Sequence, residues 1–247
     1  AAAIQTSSFG ANGHYVINGT KTYISNAPEA GVLVTLATRD KSEGYKGIDA
    51  LIVDGDLDGI EVNQLHGKMG VRASTVGEIV FKNCHVPVHN RLGEEGVGFR
   101  QTMEVLNASR ISIAAQCVGI AQAALEESVQ YARTREVFGG SLGDLQAIQW
   151  MIADMATETE AARQLVMSVA SKRDAGVPFL TEASMAKLFA SRVAMQAAHN
   201  AVQIHGGAGY FAPTKVERLF RDARVTEIYE GTSEVQRMLI ARNILKQ

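Results

Sequence analysis

The stretch FRQTMEVLNASRISIAAQCVGIAQAALEESVQYARTR, residues 99–135, does most to set the class of fold. It is rich in Ala, Leu, Ile, Gln and Glu, contains no proline, and has Gly119 as its single glycine. These residues favour a helix, and their spacing predicts one long amphipathic helix. The chain therefore contains a helix well above the usual length for a globular protein.

Similar stretches follow toward the C-terminus. Residues 145–175 and 181–205 repeat the pattern, with Thr181 as the expected N-cap and Gly206-Gly207 as the expected stop. A shorter helix is predicted to begin after residues 231–233 and to run toward Leu245. Long amphipathic helices joined by short loops are typical of an up-and-down bundle.

The residues before this region have the pattern of β-structure. Residues 14–17 and 20–24 flank Asn18-Gly19, which predicts a hairpin because Asn-Gly favours a two-residue turn. Further strands are predicted at 32–37, 48–53, 59–62, 78–81 and 85–88, with Pro87 excluding a central ladder position. Frequent strands separated by Gly, Asn and Asp predict a small antiparallel sheet or open barrel.

The predicted fold class is therefore α+β with segregated elements. A partial antiparallel β-domain, residues 1–93, is followed by a C-terminal up-and-down four-helix bundle domain, residues 94–247. The chain starts abruptly and without methionine, so we expect the β-domain to be truncated at its N-terminus.

The bulk composition narrows the functional classes. The chain is 46% hydrophobic and 20% charged with a formal net charge of −2, which predicts a globular protein without nucleic-acid or membrane partners. No signal peptide or metal-ligand spacing is recognisable, so no metal is expected. Cys84 and Cys117 do not form a disulfide framework and are expected to be small buried hydrophobes.

Three segments resemble the acyl-CoA dehydrogenase family. They are GTKTYISN at 19–26, YARTREVFGGSLGDLQAIQ at 131–149, and QIHGGAGYFAPTKVERLFRDARVTEIYEGTSEVQR at 203–237. KMGVRAS at 68–74 and LNASRISIAAQCVGIAQ at 106–122 also fit the family. The resemblance covers essentially the whole chain, in the order of the family's middle and C-terminal domains. The family's N-terminal helical domain, and a flavin-contacting segment ending in GSD, are not represented.

The resemblance implies an FAD-dependent enzyme of the short- and medium-chain type. Such an enzyme removes an α-proton from an acyl-CoA substrate and passes a β-hydride to the flavin, giving a trans-2-enoyl-CoA. It implies electron-transferring flavoprotein as partner and a homotetramer built as a dimer of dimers. Short acyl chains are favoured, with branched or cyclic chains open. The expected compartment is the cytoplasm of a bacterium, or the mitochondrial matrix of a eukaryote.

The resemblance makes Glu230 the catalytic base. It lies in IYEGT, residues 228–232, where Gly231 permits unusual backbone angles and Ile228 and Tyr229 would limit access of water. Without the resemblance, Glu230 is more simply a first-turn acid that favours the helix dipole. Other family members take the base from the position of Ser109, which cannot do this unaided.

The resemblance also assigns contacts to the cofactor. Ser25 would hydrogen-bond the flavin near N5, and Tyr23 would pack beside the ring. Arg135 would meet the pyrophosphate, and in the family this group, like Phe138 and Gln146, reaches across to a neighbouring subunit's flavin. An ordinary strand and a solvated helix-end cation explain the same residues without a ligand. The remaining implied cofactor contacts are Phe138, Gln146, Gln203, Gly206, Gly207, Thr232 and Glu234, the last weakened because an ionised Glu cannot donate a hydrogen bond.

The implied substrate contacts are Asn107, Arg110, Tyr229 and Gly231. Asn107 stands where several relatives have Asp, and His205 is expected to be a structural histidine. Two alternatives remain open: an acyl-CoA oxidase-like flavoenzyme that reduces dioxygen, and a non-catalytic helical assembly module.

Overall fold

The structure is a computed structural model that describes residues 4–246. These residues form two compact units, which divide between Val105 and Leu106. The first unit is built around a β-sheet and the second from helices. Among the described residues, none of the helices combines the length and apolarity needed to cross a membrane.

The sheet of the first unit has six strands in the order β4-β3-β1-β2-β6-β5. Neighbouring strands are antiparallel except β1 and β3, which are parallel. The predicted antiparallel sheet is therefore confirmed apart from this one pair. The strands are β1 (Ser7–Ala11), β2 (His14–Ser25), β3 (Val32–Thr38), β4 (Ile48–Asp54), β5 (Ile60–Gln64) and β6 (Val76–Pro87).

The predicted hairpin at Asn18-Gly19 is wrong. Strand β2 continues through this pair, and the turn lies instead at Asn12-Gly13, where both residues have positive φ (47° and 78°). This is the backbone that a type I′ hairpin turn between β1 and β2 requires. Gly19 lies at a register irregularity opposite β6, and a Cβ there would lie 2.7 Å from the Cα of Thr6. The glycine therefore permits close packing of the backbone and does not reverse the chain.

Two predicted strands, 78–81 and 85–88, form the single strand β6. Its continuity depends on Asn83, which adopts a left-handed backbone with φ of 50°. The side chain of Asn18 accepts a hydrogen bond from the Asn83 backbone amide at 2.8 Å and so bridges the irregularity from β2. Pro87 is the last residue of β6, where its missing N–H costs least.

One face of the sheet packs into an apolar core. Its members alternate along the strands, as a half-buried sheet requires. They include Tyr15, Ile17, Leu33, Leu51, Val53, Ile79, Phe81 and Val86.

The second unit contains the long helices, whose predicted positions are confirmed to within one residue. They are α1 (Gly98–Thr134), which begins in the first unit, α2 (Gln146–Asp174), α3 (Leu180–His205) and the shorter α6 (Ser233–Ile244). A two-stranded ribbon, β7 (Glu136–Val137) and β8 (Gly140–Ser141), lies between α1 and α2. Two helices that the sequence did not predict, α4 (Gly207–Tyr210) and α5 (Lys215–Ala223), precede α6.

The ends of α3 test two capping predictions. The prediction that Thr181 is the N-cap is wrong, because the cap is Phe179 and Thr181 lies in the first turn, accepting a hydrogen bond from Asn243 at 3.1 Å. The predicted stop is confirmed by Gly206, the C-cap residue, with φ of 57°. The next helix, α4, begins at Gly207.

Helix α3 supplies much of the bundle core with small side chains. Residues from α1, α2, α3 and α5 join it in one apolar cluster. Short side chains let neighbouring helices approach closely, so the helices form the predicted bundle. The buried alanines of α3 are Ala183, Ala186, Ala190, Ala194, Ala197, Ala198 and Ala201.

Candidate active site

The loop between α5 and α6 carries the proposed base. After a short 3₁₀ turn at Arg224–Glu227, Glu230 and Gly231 both adopt left-handed backbone angles, with φ of 53° and 93°. Helix α6 then begins at Ser233, where the Thr232 hydroxyl accepts a 3.4 Å hydrogen bond from the backbone amide of Val235. A glutamate in the left-handed region is unfavourable unless its surroundings hold it there. Glu230 therefore lies before the helix, in a restrained turn, and is not a first-turn acid of α6.

The carboxylate of Glu230 contacts helix α1. Its Oε2 atom accepts a hydrogen bond from the Oγ of Ser109 at 2.5 Å, and both side chains are half-buried. The same hydroxyl lies 3.1 Å from the carbonyl oxygen of Leu106. A serine hydroxyl has one proton, so it donates to one of these acceptors at a time. Ser109, the alternative position for a base, thus lies directly against Glu230.

A buried arginine adjoins this pair. Arg110 is 6% exposed and donates from Nη1 to the side-chain oxygen of Asn107 at 2.6 Å. Burial lowers the pKa of Arg110, and the nearby Glu230 carboxylate opposes that shift. The Nε atom of Arg110 is buried with no hydrogen-bond partner among the described residues. The predicted substrate residues Asn107 and Arg110 therefore lie beside the predicted base.

Tyr229 is anchored to the same helix. Its hydroxyl donates a hydrogen bond to the side-chain oxygen of Gln116. Burial, and then the neighbouring Cys117, raise the pKa of Tyr229 to about 12, so the phenol stays protonated at neutral pH. Ile228, the other expected shield, is 51% exposed in the described chain. Of the two expected shields, Tyr229 is the half-buried one and Ile228 the exposed one.

Two buried residues that were not predicted from the sequence hold the backbone of this loop in place. The ammonium of Lys187, on α3, donates to the carbonyl oxygen of Gly231 at 2.8 Å, and Lys187 is 0% exposed. The Gln236 side chain, on α6 and also 0% exposed, donates to the carbonyls of Glu230 at 3.1 Å and Gly231 at 2.9 Å. A lysine surrounded by small residues three and four positions away is a sequence signal that could have revealed the first of them.

The flavin-side predictions fall in the first unit. Tyr23 has φ of 61° and is 81% exposed, within an irregularity of pairing between Lys21 and Ile24. Ordinary strand alternation therefore does not explain Tyr23. Ser25 is exposed and lines an open cavity of about 480 Å³ with Asn26, Val34 and Ile79 among the other lining residues.

Three predicted cofactor contacts lie in the segment that joins the end of α1 to the first residue of α2. Arg135 follows the end of α1 and is exposed, and Gln146 is the exposed first residue of α2. Phe138 has φ of 48° and is 96% exposed at the tip of the β7–β8 ribbon. An exposed aromatic side chain on a left-handed backbone is energetically unfavourable unless another group packs against it.

The glycine-pair predictions lie at the end of α3. Gln203 lines a second open cavity, of about 500 Å³, with Tyr210, Phe220 and Arg221 among its other residues. Gly206 and Gly207 are exposed at the junction of α3 and α4. The predicted structural role of His205 is confirmed: it is buried, its Nδ1 lies 2.8 Å from the Ala201 carbonyl oxygen, and it stacks on Tyr131.

The remaining predicted cofactor contact is Glu234, and among the described residues its carboxylate contacts only the start of its own helix. It is exposed in the first turn of α6, 3.8 Å from Arg237. Its own backbone amide and the Thr232 hydroxyl lower the pKa of its carboxyl. This is the behaviour of a first-turn acid that stabilises the helix N-terminus.

These features fit a flat aromatic cofactor. Tyr23 and Phe138 expose aromatic rings on left-handed backbones, and each pays a cost that contact with another planar group would offset. The exposed guanidinium of Arg135 suits a phosphate, and the hydroxyl of Ser25 can donate to a ring atom. FAD has both an aromatic ring system and a pyrophosphate. Taken separately, Tyr23 and Ser25 of the first unit suit the ring. Phe138 and Arg135 of the second unit suit an aromatic group and a phosphate.

The two cysteines give a prediction that needs no ligand. Cys84 and Cys117 are free and 0% exposed, and burial raises the pKa of Cys117 to about 11, with Thr226 and Lys187 opposing. At pH 8 only about 0.1% of such a thiol is thiolate. We therefore expect iodoacetamide to leave both cysteines unmodified in the folded protein, and to alkylate both in urea. Peptide mass spectrometry reads the result, and rapid alkylation of Cys117 in the folded protein would contradict the packing of α1.

Comparison with known proteins identifies the family. Residues 96–245 match the C-terminal domain of acyl-CoA dehydrogenases, and residues 1–84 match their middle domain. The chain therefore belongs to the acyl-CoA dehydrogenase family, as its sequence motifs predicted.

Individual relatives agree with this assignment. The chain is 47% identical to an acryloyl-CoA reductase (NADH) of Anaerotignum propionicum, over 94% of this chain and 59% of that protein. It is 46% identical to the mitochondrial short-chain specific acyl-CoA dehydrogenase of Rattus norvegicus, over 94% of this chain and 56% of the relative. A chain in the structure described as an electron transferring flavoprotein of Acidaminococcus fermentans superposes with a TM-score of 0.97 and 44% identity, covering 100% of this chain and 65% of that chain. The chain thus spans less than two thirds of the length of these relatives.

Proposed function

We propose that this chain forms the middle and C-terminal parts of an FAD-dependent acyl-CoA dehydrogenase acting on short acyl-CoA substrates. The observation that carries the proposal is the half-buried Glu230 carboxylate, fixed by Ser109 at 2.5 Å beside the buried Arg110. Family membership and the short-chain relative support the reaction and the substrate class.

Glu230 would remove the α-proton of the thioester. The α-C–H bond breaks, its proton passes to the Glu230 carboxylate, and its electron pair forms the new double bond to the β-carbon. When bound, FAD supplies the acceptor for the hydride that leaves the β-carbon, so the substrate loses two electrons and two hydrogens. Tyr23 and Ser25 would hold the flavin ring, and Arg135 would bind the pyrophosphate of a neighbouring subunit's FAD.

Ser109 would regulate the availability of the base. Its hydroxyl fixes the direction of the Glu230 carboxylate through a hydrogen bond to a charged acceptor, which is stronger than one between neutral groups. Because Leu106 offers a second acceptor at 3.1 Å, the hydroxyl can release Glu230 without leaving its own proton unsatisfied. The carboxylate is thereby oriented before the substrate arrives. The hydrogen bond from Ser109 would be released when the carboxylate takes up the α-proton.

The electron acceptor and the direction of the reaction are further parts of the proposal. We propose electron-transferring flavoprotein as the acceptor, supported by the structural neighbour described with such a flavoprotein. The similarity to an acryloyl-CoA reductase (NADH) favours a second candidate, in which the β-carbon of an enoyl-CoA would gain a hydride, with NADH as its source, and protonated Glu230 would give its proton to the α-carbon. We also propose a homotetramer, located in the bacterial cytoplasm or the mitochondrial matrix according to the source.

The test uses the full-length flavoprotein that contains this chain. We expect it to be yellow, and we expect butyryl-CoA to bleach its flavin with formation of the 2-enoyl product, faster than long or branched acyl-CoAs. A colourless full-length protein, or no bleaching by any acyl-CoA, would refute the proposal. Fast reoxidation of the reduced flavin by dioxygen would favour an oxidase over a dehydrogenase, and rapid reduction by NADH would favour the reductase.

A further inference from the structure

The most unusual charged residue near the site takes no part in the proposed chemistry. Lys187 is 0% exposed, and it is the largest of the fully buried side chains of the described chain. Lysines are almost never fully buried unless a partner satisfies them. The partner here is the carbonyl oxygen of Gly231, at 2.8 Å.

The sequence of α3 explains how a lysine fits there. The residues one helical turn before Lys187 are Ala183 and Ser184, and those one turn after are Ala190 and Ser191, all of them buried. These positions lie on the same helix face as Lys187, and their small side chains leave room for its four-carbon stem. The stem therefore runs within the bundle, and the ammonium reaches the loop before α6.

The loop needs such a restraint. Glu230 and Gly231 both have left-handed backbones, and this is unfavourable for a glutamate. Their two carbonyl oxygens accept hydrogen bonds only from Lys187 and Gln236 among the described contacts, and both donors are fully buried. The backbone that sets the direction of the Glu230 side chain is thus held by side chains of α3 and α6.

We propose that Lys187 is a positioning residue, which fixes the Gly231 carbonyl and thereby aims the Glu230 carboxylate at the substrate. This inference depends on the proposed role of Glu230 as the base. Because Lys187 is buried beneath the loop, it acts through Gly231 and cannot touch the substrate itself. The Lys187 ammonium also interacts electrostatically with Cys117, Glu227, Arg110 and, most weakly of these, Glu230, so its principal link to the base is the hydrogen bond to the Gly231 carbonyl.

The test replaces Lys187 with methionine in the full-length flavoprotein. Methionine has a similar volume and no donor, and exchanging a buried charged group for an apolar one of similar size often leaves stability unchanged or higher. The probe is 3-thiabutyryl-CoA in D₂O. Its β-position is sulfur, so the α-proton can pass to the base and be replaced by deuterium, but no hydride can leave. Mass spectrometry of the recovered ligand gives the exchange rate.

We expect Lys187→Met to slow α-proton exchange about 10- to 100-fold, because a small displacement of a catalytic group is costly. The dissociation constant of the ligand should change less than about threefold, since Lys187 makes no contact that the ligand could lose. Amide hydrogen exchange of residues 228–236 should accelerate, a readout independent of activity. Lys172→Met is the matched control: that lysine is partly exposed, pairs with Glu182 in the same unit, and should alter none of these measurements.

The outcomes separate the inference from the function it depends on. If Glu230→Gln exchanges the α-proton as fast as the wild type, the proposed function fails. If Glu230→Gln is inactive but Lys187→Met exchanges normally, only the inference about Lys187 fails. If Lys187→Met does not assemble with flavin, Lys187 is needed for folding and not for positioning, and the inference is again overturned.

Discussion

Glu230→Gln in the full-length flavoprotein should retain flavin and structure but lose at least about 100-fold in the rate of flavin reduction, the typical contribution of a general base. Glutamine has the shape of glutamate, and its amide oxygen can still accept the hydrogen bond that Ser109 donates at 2.5 Å. It cannot accept a proton from carbon at neutral pH, so the chemical step is lost while binding is preserved. Stopped-flow absorbance of the flavin, after mixing with saturating butyryl-CoA, measures this rate.

The control for this variant is Glu160→Gln. Glu160 is an exposed carboxylate on α2, paired with Arg163 at 3.1 Å, and its replacement should leave the reduction rate unchanged. The dissociation constant of butyryl-CoA should also stay close to that of the wild type in Glu230→Gln, because the lost interaction forms with the departing proton. Normal flavin reduction by Glu230→Gln would show that the base lies elsewhere.

The sequence predicted the candidate site unevenly, because motifs record residue types and not the packing behind them. The motif IYEGT pointed to Glu230, and the helix containing LNASR supplied Asn107 and Arg110, which the structure brings beside it. Lys187 and Gln236 were missed because they act through backbone carbonyls of a loop that lies 44 and 5 residues away; the small residues around Lys187 indicate that it is buried but not which loop it reaches. The direct contact of Ser109 with Glu230 was missed because the two side chains lie 121 residues apart in the sequence.

The fold was predictable where the local signal and the tertiary structure agree. The long helices were located to within a residue, because each carries a sustained apolar pattern with no competing turn signal. The predicted position of the hairpin was wrong because the chain contains two Asn-Gly pairs six residues apart, and only Asn12-Gly13 forms a turn. Strand β2 pairs with β1 on one side and β6 on the other, with Ile17 in register with both, and this pairing keeps β2 extended through Asn18-Gly19.

This choice makes Ile17→Ala a demanding test of the fold. Ile17 is 0% exposed in the middle of the sheet, with Ser8 of β1 and Cys84 of β6 as its neighbours in register. Removing its side chain leaves a cavity between the strands and the apolar core, so the first unit should lose about 2–5 kcal/mol of stability. If Asn18-Gly19 were a hairpin tip, Ile17 would lie at the sheet's end and the loss would be small.

The measurement must report on the sheet alone, because two compact units need not unfold together. The protein's single tryptophan, Trp150, lies in α2 and would report on the helices. Amide hydrogen exchange of peptides from β2 and β6 instead gives the free energy of opening the sheet, with peptides from α3 as an internal reference. Val34→Ala, at a position on β3 that is 67% exposed, is the matched control and should change that free energy by less than about 0.5 kcal/mol. Equal exchange in the two variants would mean that β2 does not cross the core as one strand.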